Sequence, residues 1–178
     1  MPLLIATAAD IADIVALVES AFRGDASRAG WTTEADLLDG RRTGPDEIGA
    51  ILFDPEQCVL LDRDGHDALR ASVVVSRDGD TAWFGMLAVV PALQGAGTGR
   101  RVLSEIEHWV ASNWGTHRMR MKVIAQRSQL IAWYERRGYH RTGETAPFYY
   151  GDERFGLPRR PDLSFVVLEK SLRETTAG

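Results

Sequence analysis

The sequence predicts a mixed α/β domain: one sheet with helices on its faces. Three observations carry that expectation. Stretches with apolar residues at the helical period interleave along the chain with stretches that alternate or run apolar. Turn signals such as Asp78-Gly79 and Gly138 fall between those stretches. The 178 residues carry 44% hydrophobic and 26% charged side chains, an ordinary balance for one folded core.

Residues 3–7 read as a short strand. In residues 10–22, Ile11, Ile14, Val15, Leu17, Val18 and Phe22 follow the helical period, and Thr7 three residues before Asp10 is a capping arrangement. Residues 23–31 form a loop. Residues 32–40 begin with a capping Thr and end in Gly40, which predicts a short helix. Residues 41–56 show only a helical turn at 48–52. Strands follow at 58–62, 68–77 and 81–90, separated by the hairpin signals "DRDGHD" and Asp78-Gly79. A helix over 97–114 sets Val102, Leu103, Ile106, Trp109 and Val110 on one face. Residues 118–124 alternate as a strand, 128–137 form a helix stopped by Gly138, and 139–143 and 164–172 are strands. A long loop, 144–163, lies between those last two. The expected core spans about residues 3–172 of a single domain, with a frayed polar tail at 173–178.

The net charge of −4 implies no general nucleic-acid surface. A single cysteine, Cys58, excludes an intrachain disulfide, and no cysteine cluster offers a zinc site. No apolar run approaches the ~20 residues that span a membrane. The N-terminus has no basic segment before a long apolar one, so a cytoplasmic location is expected.

The stretch "LAVVPALQGAGTGRRVL" joins a strand to a helix through Gly95, Gly97 and Gly99. Each glycine inside a helix costs ~1 kcal/mol against alanine, so three at a helix start need a reason. The first amides of a helix have no internal partner, and the helix dipole adds positive potential there. Glycines let a phosphate approach those amides closely. Arg100 and Arg101 oppose the dipole unless an anion neutralises them. The loop lacks the Gly-Lys-Ser/Thr of a Walker loop. It also breaks the dinucleotide pattern, because Arg100 stands where the third glycine is required. The pattern present is Gln94-x-x-Gly97-x-Gly99.

On that loop, on "LIAWYERRGYHRTGE" and on the opening "IATAADIADIVALVESAF", the chain resembles the GNAT superfamily of N-acetyltransferases over about residues 3–172. The resemblance implies an acyl-CoA N-acyltransferase fold with a mixed, mostly antiparallel sheet and helices on both faces. Two parallel strands, "GMLAVV" and "RMRMKVI", would splay apart around the pantetheine arm of acetyl-CoA. A bulge near 85–87 suits this, since glycine within a strand often marks one. The resemblance assigns cofactor binding to Leu87, Ala88 and Val89, to the loop residues Gln94, Gly95, Ala96, Gly97, Thr98, Gly99 and Arg100, and to Arg127 and Tyr134. Leu87 N–H would face the thioester carbonyl as an oxyanion donor, and Tyr134 would serve the leaving thiolate as general acid. Of the neighbours Trp133 and Tyr134, one is expected in the core and Tyr134 on the cofactor side.

The proton of the attacking amine has no clear owner. The strand before the loop reads Trp83-Phe84-Gly85-Met86, without the carboxylate many relatives carry. Glu34, taken as the catalytic base, and Asp36 are the candidates, with His117 and His140 behind them. Arg127 stands where relatives often have asparagine, and either reaches the cofactor phosphates or is a solvated helix start. The acceptor is expected between loops 23–33 and 144–163, against Phe148, Tyr149 and Tyr150. Arg23, Arg28, Arg154, Arg159 and Arg160 either bind an anionic group of the acceptor or are ordinary surface residues. The resemblance thus implies acetyl transfer from acetyl-CoA to a primary amine of a small molecule or peptide, by direct attack in a ternary complex. It implies no metal, nucleic acid or membrane, and a monomer or homodimer. A non-catalytic acyl-CoA sensor and a nucleotide-binding protein are the competing classes.

Overall fold

The computed structural model describes residues 2–173, so most of the expected frayed tail, residues 174–178, lies outside the described residues. In chain order the elements are β1 (Leu4–Ile5), α1 (Ile11–Phe22), β2 (Leu38–Asp39), α2 (Pro45–Phe53), β3 (Gln57–Arg63), β4 (Leu69–Asp78) and β5 (Thr81–Val89). Then come α3 (Thr98–Trp114), β6 (Arg118–Ile124), α4 (Ser128–Glu135), β7 (His140–Pro147), β8 (Leu157–Pro158) and β9 (Ser164–Ser171). Among the described residues the main sheet has the order β1-β3-β4-β5-β6-β9-β7, and β2 pairs with β8 in a separate small ladder. All neighbours in the main sheet run antiparallel except β5 and β6.

The two-residue period of the strands divides the core between the faces. In β3, Val59 and Leu61 pack under α1 and α2 with Ile14, Val18 and Ile48, whereas Leu60 faces the opposite side. On that side α3 buries Val102, Leu103, Ile106 and Val110, and α4 buries Ile131 and Tyr134. The helical periodicity of 10–22 and 97–114 therefore names the buried faces correctly. Asp10 accepts the Thr7 amide at 2.8 Å, the reciprocal bond of the anticipated cap, although a short 3-10 turn at Ala8–Asp10 precedes α1. Glycines 97 and 115 bound α3, both with left-handed backbone.

Three stretches depart from the sequence reading. Residues 32–40 are not a helix. One turn forms as the Glu34 carbonyl accepts from Leu37 and Leu38, and the chain then extends as β2. Leu38 is buried with Ile124, Phe148 and Leu163, and that packing with the β8 pairing outweighs a weak helical preference. The helix lies instead at α2, where Pro45 occupies the first turn with Asp46 and Glu47 behind it. That start signal is present in the sequence. The stretch 144–163 is only partly loop. After a register shift between Arg141 and Thr145, β7 re-pairs with β9 as far as Pro147, and β8 follows.

Candidate active site

The cleft arises where β5 leaves β6. The two strands pair only from Thr81 opposite Arg118 to Trp83 opposite Arg120. On its other edge β5 pairs Gly85 with Val74 and Ala88 with Ser72, so Met86 and Leu87 stand against the single residue Val73. This is a bulge at the anticipated place. Met86 takes φ 49°, uncommon for a residue with a side chain, which marks a locally forced turn of the strand. Meanwhile β6 stays paired with β9 through Ile124. The resulting gap opens into a cavity of about 350 Å³, with Leu87 and Val89 on one wall and Met121 and Val123 on the other.

The glycine loop borders the same cavity through Gln94, Gly95, Gly97, Gly99 and Arg100. Gly95 and Gly97 hold φ +84° and +87°, and a Cβ on either would meet open space. Glycine is needed there for backbone conformation and not for crowding. The Arg101 amide closes onto the Gly97 carbonyl at 3.0 Å, and the amides before it belong to the set that a helix start leaves open. Gln94 departs from expectation. Its amide already donates to the Pro91 carbonyl, and its side chain is a strut. Gln94 Oε1 accepts from the amides of Trp31 and Thr32, and Nε2 donates to Thr32 Oγ1 and the Val89 carbonyl. Arg101 departs as well: Asp62 at 2.7 Å and Glu105 at 2.8 Å neutralise it, so Arg100 alone of the pair faces the cavity. Ala88, Ala96 and Thr98 do not line the cavity, and Ala88 buries its methyl in the core under α1. The open amides, the splayed strand edges and the cavity fit a phosphate-bearing thioester such as acetyl-CoA.

Tyr134 and Trp133 do not divide between core and cleft. Both line the cavity, edge to face at 4.9 Å. Tyr134 is 4% exposed, and among the described residues nothing hydrogen-bonds its hydroxyl. Burial drives the phenol above its ordinary value, against weaker opposing pulls from Arg127 and Arg137, so it is protonated at neutral pH. Trp133 carries the Arg137 guanidinium over its ring at 3.7 Å.

Glu34 is buried within three guanidinium groups. It contacts Arg23, with Arg127 Nη1 at 3.4 Å and Arg42 Nε at 3.7 Å. Burial alone would raise its carboxyl. The charges of Arg127, Arg42 and Arg23 outweigh burial and hold it below the ordinary carboxylate range. A carboxylate so stabilised is a poor proton acceptor, so this geometry speaks against the expected base and for a buried counter-ion. Arg127 is not a solvated helix start: it is 9% exposed, pairs with Glu34 and donates to the Thr32 carbonyl. Asp36, His117 and His140 lie outside the cavity lining. Among the described residues, Glu34 is the only carboxylate lining the cavity, and no histidine does so.

The far end of the cavity is aromatic, with Phe148, Tyr149, Phe155 and Phe165 in mutual contact. Tyr150 is not part of that lining: its hydroxyl bridges Arg160 and Leu163 backbone groups. Arg28, Arg154 and Arg160 each hold a carboxylate of their own chain, Asp36, Asp152 and Asp162, and none borders the cavity. Arg159 donates to the Ala35 carbonyl. Of the five arginines first considered, only Arg23 remains at the site. Arg42 and Arg137 carry no local signal, because distant packing alone brings them there.

A splayed parallel pair, a glycine-started helix and a deep cleft between them define an acyl-CoA-type transferase fold. The sequence model of the Acetyltransferase (GNAT) family matches residues 16–139, and the chain belongs to that family. No curated protein matches the chain by sequence. Among solved structures it is similar to a chimera of the spermidine N-acetyltransferase SpeG from Vibrio cholerae with hSSAT. Identity is 13%, the TM-score is 0.69, and 97% of this chain and 96% of that one are covered. The ribosomal-protein-S18-alanine N-acetyltransferase from Escherichia coli aligns at 14% identity and TM-score 0.69, covering 99% and 96%. A nourseothricin acetyltransferase aligns at 20% identity and TM-score 0.56 over 67% and 68%. At these identities the likeness is one of fold.

Proposed function

We propose that residues 1–178 act as a single-domain, cytoplasmic N-acetyltransferase that moves an acetyl group from acetyl-CoA to a primary amine in a ternary complex. The observation that carries this reading is the convergence of three features on one cavity: the Leu87 bulge, the glycine-started helix and the Tyr134 hydroxyl, unpartnered among the described residues. Acetyl-CoA as co-substrate supplies the activated acyl group. The amides from Gly95 to Arg100 hold its pyrophosphate. Leu87 N–H, in the bulge and past the end of the β6 pairing, stabilises the oxyanion as the amine attacks. The Tyr134 hydroxyl donates to the departing sulfur. Among the described residues the cavity holds no histidine and no carboxylate but the ion-paired Glu34, so the acceptor binds as the free amine or releases its proton to water. Amine-dependent release of thiol from acetyl-CoA tests the reading. Cofactor binding without thiol release across an amine panel favours the sensor alternative, to which the lack of a base in the cavity lends support.

Two variants test the cofactor loop. Gly99 has ordinary backbone, and a Cβ there makes normal contact with Trp133 at 3.6 Å. In Gly99→Asp the new carboxylate suits the helix N-terminus but repels phosphate. Acetyl-CoA affinity is expected to fall at least about tenfold, ~1.4 kcal/mol, while the melting temperature holds or rises. Equal affinity by calorimetry would remove the phosphate assignment. Gly97→Val is less clean, because φ +87° strains any side chain.

The neighbouring arginines are expected to separate. Arg100→Met weakens cofactor binding by about tenfold and spares stability. Arg101→Met strips a partner from buried Asp62, costs about 1–3 kcal/mol of stability and spares affinity. Titration and thermal melts of both variants check the pair, and the reverse pattern would exchange their roles.

A further inference from the structure

The charge inside the cavity does not balance. Among the described residues that line the cavity, the guanidinium groups of Arg23, Arg42 and Arg127 face the one carboxylate of Glu34; Glu19, outside the lining and held by the Arg42 and Thr43 amides, offsets Arg42 in part and leaves the cluster in net positive excess. Arg23 is 5% exposed, and its Nε is buried with no acceptor among the described residues. Arg42 comes no nearer to Glu34 than 3.7 Å, and among the described residues its guanidinium donates no hydrogen bond. Buried charge in excess of its counter-charge is costly unless something else neutralises it. The surface arginines of the same loops each have their own carboxylate, so the imbalance belongs to the cavity and not to the loops in general.

The neighbouring wall is apolar. Phe148, Tyr149, Phe155 and Phe165 are in contact, with Tyr149 4.1 Å from Phe155 between ring centroids. Arg127, the residue that caps α4, and Tyr134 within α4 line the same cavity, and the Arg127 charge is felt at the Tyr134 phenol. An oxyanion held by the arginines therefore lies within reach of the hydroxyl assigned to the chemistry.

Resting on the acetyltransferase reading above, we propose that the acceptor is an amine that also carries an oxyanion on an apolar body. The oxyanion completes the Arg23–Arg42–Arg127 cluster, the body lies on the aromatic wall, and the amine is left on the side of Tyr134 and Leu87. Planar carboxylate and tetrahedral phosphonate share this chemistry. An oligocation such as spermidine meets like charge in the same place and is rejected.

The test measures binding of product analogues, which needs no turnover. N-acetyl-phenylalanine, its carboxamide and the corresponding N-acetylated phosphonate are titrated by calorimetry into the protein with and without saturating coenzyme A. At least one oxyanion is expected to bind about tenfold or more tighter than the carboxamide, and the better of the two identifies the oxyanion geometry. The preference should collapse in Arg42→Gln and persist in Arg42→Lys. Arg42→Gln removes one cation from an over-charged cluster, so its melting temperature should hold or rise. Equal binding of acid and carboxamide overturns the proposal, as does a preference indifferent to Arg42→Gln. Loss of oxyanion binding once coenzyme A is present also overturns it, because the cofactor phosphates would then own the arginines. Thiol release with neutral amines reports separately: turnover without an oxyanion preference sinks this inference alone. Absence of turnover with every amine sinks the transferase reading instead.

Discussion

Tyr134→Phe is expected to lower kcat by about 100-fold, the common worth of a general acid, while leaving acetyl-CoA affinity and melting temperature almost unchanged. The asymmetry follows from where the hydroxyl sits. Among the described residues it has no hydrogen-bond partner, so removing it breaks no bond within the protein and stability should change little. The ring keeps its edge-to-face contacts with Trp133, Phe84 and Tyr139. What disappears is a donor that acts only when charge develops on sulfur, so the loss falls on turnover and not on ground-state binding. Burial raises the phenol above its ordinary ~10. Its proton is therefore present throughout the neutral and mildly alkaline range, and no alkaline limb from Tyr134 should appear below about pH 10. Steady-state kinetics, calorimetry and a thermal melt decide the matter. Normal turnover would make Tyr134 a packing residue, and a collapsed melting temperature would mean that its hydroxyl held a bond.

Glu34→Gln should do the opposite: a large loss of stability. Removing one partner of a buried ionic cluster typically costs about 3–5 kcal/mol, and here three guanidinium groups would lose their shared counter-ion. For a chain of this size that corresponds to a fall in melting temperature of roughly 10 °C. The pH dependence has a definite sign. The folded carboxyl titrates below its unfolded value of ~4.3, so its stabilisation is complete above that value and is lost as pH falls through the folded one. Wild type should therefore lose stability steeply on acidification, and the glutamine variant should show a flatter acid limb. A catalytic base would behave differently, with kcat lost, a melting temperature within ~2 °C of wild type, and the acid limb of the rate profile abolished. Melts from pH 3 to 7 beside rate profiles separate the two. A second substitution, Glu34→Gln with Arg23→Met, should recover part of the stability by removing one stranded charge.

Much of the site was legible because its chemistry is local. Gly95 and Gly97 before a helix announce a helix mouth by backbone requirement, whereas the bulge, expected beside Gly85, is forced at Met86, a residue with no such signature. Tyr134 was placed by resemblance and by its position on a short helix. The errors share a cause. Glu34 was read as a free carboxylate and Arg127 as a phosphate ligand or solvated residue, because each was weighed without the other. They lie far apart in sequence and are joined by how the segment after α1 drapes over the start of α4. Gln94, expected at the cofactor, and Arg101, expected beside a neutralising anion, are instead claimed by partners from other elements.

The sequence by itself determined the long helices α1 and α3 with their buried faces, the central strands β3 to β6, and the glycine-started helix. These depend on periodicity and, at Gly95 and Gly97, on a backbone conformation that few residues adopt, and both are properties of short segments. Only the tertiary structure decided that residues 38–39 form a strand, that Glu34 is enclosed by guanidinium groups, and that Arg42 lines the cavity. The reason is physical. A charge is defined by its neighbours and its solvation, and a weak helical preference is overruled by burial of a single leucine among Ile124, Phe148 and Leu163. Those neighbours are brought together by contacts between segments dozens of residues apart, which no local pattern records.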